Sequence, residues 1–227
     1  MPTVYIPAGG ARLAGELTVP PDAHAIVMFA HGSGSSRFSR RNQFVARVLE
    51  RRNLATLLID LLMPDEDALD QKTAHFRFDI PMLASRLVAL VDWLREQPQT
   101  CDLHVGLFGA STGGGAALRA AAARPGGVFA VVSRGGRPDL AGSALPDVKA
   151  PTLLIVGGED TPVVAMNRDA MPRMRGQVWI EIIPGATHLF EEPGALERVA
   201  ALAADFFERH VPRSSGPSAD TNRHHRA

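Results

Sequence analysis

The stretch "LHVGLFGASTGGGAAL", residues 103–118, decides how this chain is read. An apolar run of strand character leads into Gly109-Ala110-Ser111-Thr112-Gly113, and small residues with a helix-like pattern follow. A serine between two glycines, where a strand gives way to a helix, has two physical explanations. Such a turn lifts a hydroxyl clear of the backbone for attack on a carbonyl. Alternatively, it is a small-residue loop where two segments pack closely. The ends of the other strands decide between them.

The chain has 227 residues, enough for one domain with a substantial core. Its 24 Lys and Arg balance 24 Asp and Glu, so neither nucleic acid nor an anionic membrane surface is expected as a partner. Cys101 is the only cysteine, which excludes an internal disulfide framework and a cysteine-based zinc cluster. No catalytic partner pattern surrounds Cys101, so it reads as a small residue entering a strand. The opening "MPTVYIPAGGARLAG" lacks the basic start and apolar core of a secretory signal. No apolar run approaches the ~20 residues needed to cross a bilayer. A cytoplasmic location is therefore expected, with no cofactor and no metal; the oligomeric state leaves no signal.

Along the chain, β-branched apolar runs alternate with segments of helical period. "AIVMFA" (25–30), "LATLLID" (54–60), "LHVGLF" (103–108), "VFAVVS" (128–133), "PTLLIVGG" (151–158) and "VWIEIIPG" (178–185) read as strands. Helical segments lie between and after them. In "FDIPMLASRLVALVDWLREQ", Ile80, Leu83, Leu87, Leu90, Val91 and Leu94 fall at spacings of three and four, and Pro98 lies just past the end. "PVVAMNRDAMPRM" predicts a helix distorted at Pro172, and "EPGALERVAALAADFFERH" a final helix. Near-continuous apolar strands, each followed by a helix, describe a parallel sheet covered on both faces. "TVYIP" and "ARLAGELTVP" add an antiparallel hairpin at one edge, turning through Ala8-Gly9-Gly10. The expectation is about eight strands in one domain over residues 1–210. The tail 211–227, "VPRSSGPSADTNRHHRA", has no periodicity and is expected to be disordered.

In an open parallel sheet, ligands bind beyond the carboxyl ends of the strands. At those ends stand His31-Gly32-Ser33-Gly34-Ser35-Ser36, then Ser111, then Glu159-Asp160, then Ala186-Thr187-His188. A serine, an acid and a histidine thus share one rim, in that chain order, with room for whole β-α units between them. Together "FAHGSGSS", "GASTG", "LLIVGGED" and "PGATHLFEEPG" resemble the α/β-hydrolase superfamily, and within it the small, uncapped dienelactone hydrolase-like group. The resemblance covers roughly residues 3 to 210 and implies an α/β-hydrolase fold. It departs in one place: the nucleophile of dienelactone hydrolases proper is cysteine, and here that position is Ser111. This points away from dienelactone and towards a serine esterase.

The residue types suit that chemistry. Gly109 and Gly113 remove Cβ atoms that would collide at a strained elbow. A hydroxyl needs a base to take its proton, and His188 occupies a loop at the same rim. Asp160 would fix the His188 tautomer and stabilise the imidazolium; Glu159 is the alternative acid, but the family motif ends in Asp. The backbone N–H groups of Ser33 and Thr112 would form the oxyanion hole. His31 reads as a residue that pins this loop by a hydrogen bond, and His104 as structural.

Arg134 stands at the end of a strand beside the expected site, and Arg37 follows the oxyanion loop; both are candidates for binding substrate. Arg40 and Arg41 read as solvated surface. An ion pair of Arg134 with Asp60 or Asp139 is the structural alternative. The most direct functional reading is a serine hydrolase cleaving small, short-acyl carboxylic esters through an acyl-enzyme. An acyltransferase or a cofactor-free perhydrolase would use the same three residues. A non-catalytic binding protein on this scaffold would not need all of them. Related hydrolase domains also occur joined to a phosphoribosyltransferase domain; no second domain is expected in this chain.

Overall fold

The apolar runs become the strands of one eight-stranded sheet. The computed structural model describes residues 3–212. β1 (Thr3–Ala8) and β2 (Ala11–Thr18) form the edge hairpin, turning through Gly9 and Gly10, both at positive φ. The other strands are β3 (Ala25–Ala30), β4 (Ala55–Ile59), β5 (His104–Ala110), β6 (Ala130–Arg134), β7 (Thr152–Gly157) and β8 (Val178–Ile183). The spatial order is β1-β2-β4-β3-β5-β6-β7-β8. β2 runs antiparallel to β1 and β4, and every pair from β4 to β8 is parallel.

β3 shows why the sheet is covered on both faces. Its six residues are all buried and alternate between two cores. Ile26, Met28 and Ala30 face α3 (Ile80–Glu96) and α4 (Thr112–Ala123). Ala25, Val27 and Phe29 face α1 (Arg40–Glu50) and α6 (Ala195–His210). α3 buries the predicted stripe and starts at Asp79, whose carboxylate accepts the Met82 N–H at 3.0 Å. α5 (Thr161–Ala170) stops short of Pro172, and a 3₁₀ turn, Met171–Arg173, carries the chain on. Between β6 and β7 there is only a 3₁₀ stretch, Pro138–Asp147, and no cap domain. No helix among the described residues is long and apolar enough to cross a membrane. Of the expected disordered tail, residues 213–227 lie outside the described residues.

One element has no counterpart in the sequence reading. α2 (Pro64–Thr73) follows β4, its Asp67 and Asp70 line a pocket with His31, Gly32 and Leu61, and Asp70 is its only buried residue. It lacks an apolar stripe because polar bonds hold it. Arg86 donates to the Glu66 carboxylate at 2.7 and 2.5 Å and to the Leu61 carbonyl at 2.7 Å. Asp70 accepts from the Arg77 N–H and Nε at 2.9 and 2.7 Å. Burial works against ionisation of Asp70, but the bonds and charge of Arg77 outweigh it and hold the carboxyl below its usual range.

Candidate active site

Ser111 begins α4 with φ 51° and ψ −122°, a conformation costly for any residue with a Cβ. Its surroundings impose it. The Ser111 N–H donates to the Arg134 carbonyl at 3.3 Å, and its carbonyl accepts from Gly114 and Arg137, each at 3.0 Å. The glycines follow from close approach. A Cβ on Gly109 would lie 2.6 Å from the Gly113 carbonyl oxygen, and one on Gly32 would lie 2.9 Å from the Ser111 Cβ. One on Gly113 would overlap the Ala30 carbonyl.

His188 Nδ1 lies 2.6 Å from Asp160 Oδ2. A proton on Nδ1 then points at the carboxylate, leaving Nε2 free to accept one. Asp160 closes the end of β7 and starts α5, whereas Glu159 beside it is exposed. The histidine loop is tied down by Glu192, which accepts from the Thr187 N–H at 3.1 Å and the Thr187 hydroxyl at 2.6 Å. Gly135, at φ 51°, passes beneath it, where a Cβ would come 3.5 Å from His188 Cε1. Ser111, His188, Arg134, Arg41, Ser33 and Leu189 line one cleft of about 160 Å³.

The two expected oxyanion segments meet: Ser33 Oγ and Thr112 Oγ1 are 3.1 Å apart. Behind them stands His31, half-buried. Its Nε2 accepts the Leu61 N–H at 3.0 Å, so Nδ1 carries the proton and faces the Gly32 carbonyl at 2.9 Å. Burial pushes the His31 pKa down, partly offset by the Gly32 bond. A neutral histidine with both ring nitrogens occupied ties the loop to the end of β4 and has no free nitrogen with which to act as a base.

The arginines differ from expectation. The sequence makes Arg37 a candidate for substrate binding, and the structure gives it to Asp60 instead. Its N–H donates to that carboxylate at 2.6 Å and its Nη1 also binds there, with Glu16 at 4.0 Å. Arg37 faces a separate groove beside Tyr5 and Arg12, so its charge is already met away from Ser111. Asp139 is likewise taken, by Arg137 at 2.7 and 2.8 Å. Neither carboxylate is left for Arg134. That residue is 8% exposed, its Nε and Nη1 have no hydrogen-bond partner, and the Phe190 ring lies 5.8 Å from its guanidinium. Burial, with a smaller contribution from the charge of Arg41, pushes its pKa down to about 10, so it stays charged at neutral pH.

Two residues at or beside the cleft are not expected there from the sequence. Arg41, expected on the solvated surface, lines the cleft and donates to Glu191 at 3.0 Å. Its place two residues after the Ser39 cap, on a helix starting at the rim, is the available signal. Asn167 on α5 is fully buried and donates to the carbonyls of Gly136 and Val163 at 3.0 and 2.8 Å, tying α5 to the loop after β6. No sequence signal marks it. Among the described residues no group of three or more His, Cys, Asp or Glu is gathered to hold a metal ion.

A mostly parallel eight-stranded sheet, with serine, acid and histidine at the carboxyl ends of its strands, defines the α/β-hydrolase class. The chain belongs to the dienelactone hydrolase family, whose model matches residues 14–212. It is similar to a dienelactone hydrolase from Anabaena variabilis, with 60% identity and a TM-score of 0.91 over 92% of this chain and 97% of that one. Est1E from Butyrivibrio proteoclasticus shares the fold at 17% identity, with a TM-score of 0.77 over 93% of this chain and 99% of that one. Two Mycobacterium tuberculosis proteins, from strains CDC 1551 and H37Rv, are each 55% identical over 95% of this chain and are provisionally named phosphoribosyl transferases. The chain spans about half their length, 47%.

Proposed function

We propose that this chain hydrolyses small carboxylic esters through an acyl-enzyme on Ser111. The observation that carries this is the His188–Asp160 pair, at 2.6 Å, on the cleft that Ser111 lines. His188 Nε2 takes the Ser111 hydroxyl proton as Oγ bonds to the carbonyl carbon. The N–H groups of Ser33 and Thr112 hold the oxygen that becomes negative. Collapse breaks the bond to the alcohol, which leaves with the proton from His188. Water then gives a proton to His188 and attacks the acyl carbon. The carboxylic acid departs, and the proton returns to Ser111. Asp160 stays ionised throughout and keeps the imidazole in the required tautomer.

The test is covalent. A fluorophosphonate is expected to label Ser111, located by peptide mass spectrometry, and an adduct elsewhere would overturn the assignment. An ester series graded by acyl length completes it. An uncapped cleft of about 160 Å³ offers no long apolar wall. Each methylene buried on such a wall would add ~0.8 kcal/mol, so activity is expected to fall beyond short acyl groups. A preference for acyl chains longer than about eight carbons, which only such a wall could supply, would contradict this.

Arg134 is read as the group that orients an anionic part of the substrate, since no protein carboxylate satisfies it. Arg134→Ala is expected to raise KM for an anionic ester by about tenfold or more and to spare a neutral ester of equal size. Equal loss on both would remove it from the substrate site. Phosphoribosyl transfer, the activity in the mycobacterial names, is assigned in this reading to the half of those proteins that the chain does not span.

A further inference from the structure

The cleft beside Ser111 carries more positive charge than an ester carbonyl requires. Arg134 is 8% exposed and lines it, and its Nε and Nη1 are buried with no hydrogen-bond partner in the chain. Buried guanidinium donors are ordinarily paired, and no group of the chain pairs these two. Arg41 brings a second guanidinium. Its Nη1 is held by Glu191, which is not among the side chains lining the cleft, and its Nε is unpartnered. No carboxylate lines the cleft. Ser39, the residue that caps α1, lines it too, so the first turn of this eleven-residue helix opens on the same space. The N–H groups of Arg40 and Arg41 have no acceptor within the helix, and the positive end of the helix dipole lies there. Ser35 and Ser39 share the wall.

We infer that this end of the cleft is a phosphoryl subsite, and that the substrate is a carboxylic ester carrying a phosphoryl group. The inference rests on the ester-hydrolase reading of Ser111. A planar carboxylate is satisfied by one edge of one guanidinium. A phosphoryl group carries nearly two charges and three acceptor oxygens arranged tetrahedrally, so it needs donors from several directions. Here they arrive from the end of β6, from a side chain and the first turn of α1, and from the loop after β3. The Arg134 guanidinium, the Arg41 guanidinium shared with Glu191 and a helix N-terminus also match a dianion better than a monoanion.

Inorganic phosphate is the probe, titrated into the wild-type chain at constant ionic strength and followed by ³¹P line width, with acetate as competitor. Phosphate is expected to bind, and acetate to displace it only at about tenfold higher concentration or more. Arg134→Met is expected to weaken phosphate binding by about tenfold or more, Arg41→Met by less, and Arg134→Lys to retain part of it. Acetate displacing phosphate at equal concentration would make this a carboxylate site. Unchanged affinity in Arg134→Met would leave an adventitious ion only; should that variant not fold, unchanged affinity in both Arg41→Met and Arg134→Lys would overturn the subsite equally. Wild-type hydrolysis of p-nitrophenyl acetate and fluorophosphonate labelling are recorded alongside. Their failure with phosphate binding intact removes the esterase reading, and turnover without phosphate binding removes the subsite.

Discussion

Replacing His188 or Asp160 by alanine is expected to lower kcat on a neutral short-chain ester by about 10⁴-fold, and the double replacement hardly further. In the proposed mechanism both residues act through one proton. His188 Nδ1 meets Asp160 Oδ2 at 2.6 Å, and in that mechanism only this bond keeps Nε2 available for the Ser111 hydroxyl. Asp160→Asn makes the sharper variant. It keeps the size of the side chain but can turn N–H groups towards Nδ1, which drives the ring proton onto Nε2, where it blocks the base. A loss in Asp160→Asn as large as in Asp160→Ala would therefore mark a tautomer effect. Thermal unfolding of each variant separates this from loss of fold. Losses that add in the double variant would mean the two residues do not work as a unit with Ser111.

The parts of this site that are legible in the sequence are those fixed by the geometry of a few neighbouring atoms. Gly109 and Gly113 around Ser111 are required because Cβ atoms there would run into backbone atoms well inside van der Waals contact. That constraint shows as a pattern within five residues. The strands are legible for a similar reason: β3 feeds two cores alternately, so all six of its residues are apolar. Pairings between distant charged groups leave no such trace. Arg37 and Asp60 are 23 positions apart, and nothing local says that they meet or that Arg134 is thereby left without a carboxylate. α2 escapes because the 3.6-residue apolar period is the signal for a helix, and α2 is fastened by Glu66 and Asp70 instead. Arg41 looks like surface because charge near a helix start usually is. Its position on the cleft depends on where α1 begins relative to the sheet.

Gly113→Ala is expected to cost both stability and rate, although alanine is the better helix former. The helix-propensity gain is about 1 kcal/mol. Against it stands a Cβ driven into the Ala30 carbonyl oxygen and placed 2.5 Å from the His31 carbonyl oxygen. Both atoms are backbone and cannot rotate aside. Overpacking of this kind typically costs about 1–3 kcal/mol, so the net effect is destabilising. The rate effect follows from where the strain goes. His31 is fastened to Leu61 on one side and leads directly into Gly32 and Ser33 on the other. Moving it shifts the Ser33 N–H away from the position assigned to it in the oxyanion hole. Losing one such donor costs on the order of 100-fold in kcat with little change in KM. Gly126 provides the comparison, since a Cβ there meets nothing within 4 Å and its φ is not positive. Gly126→Ala is expected to leave both kcat and the unfolding temperature close to wild type. If Gly113→Ala keeps full kcat while losing stability, the loop after β3 is packed against the elbow without serving it, and the second oxyanion donor must be sought elsewhere.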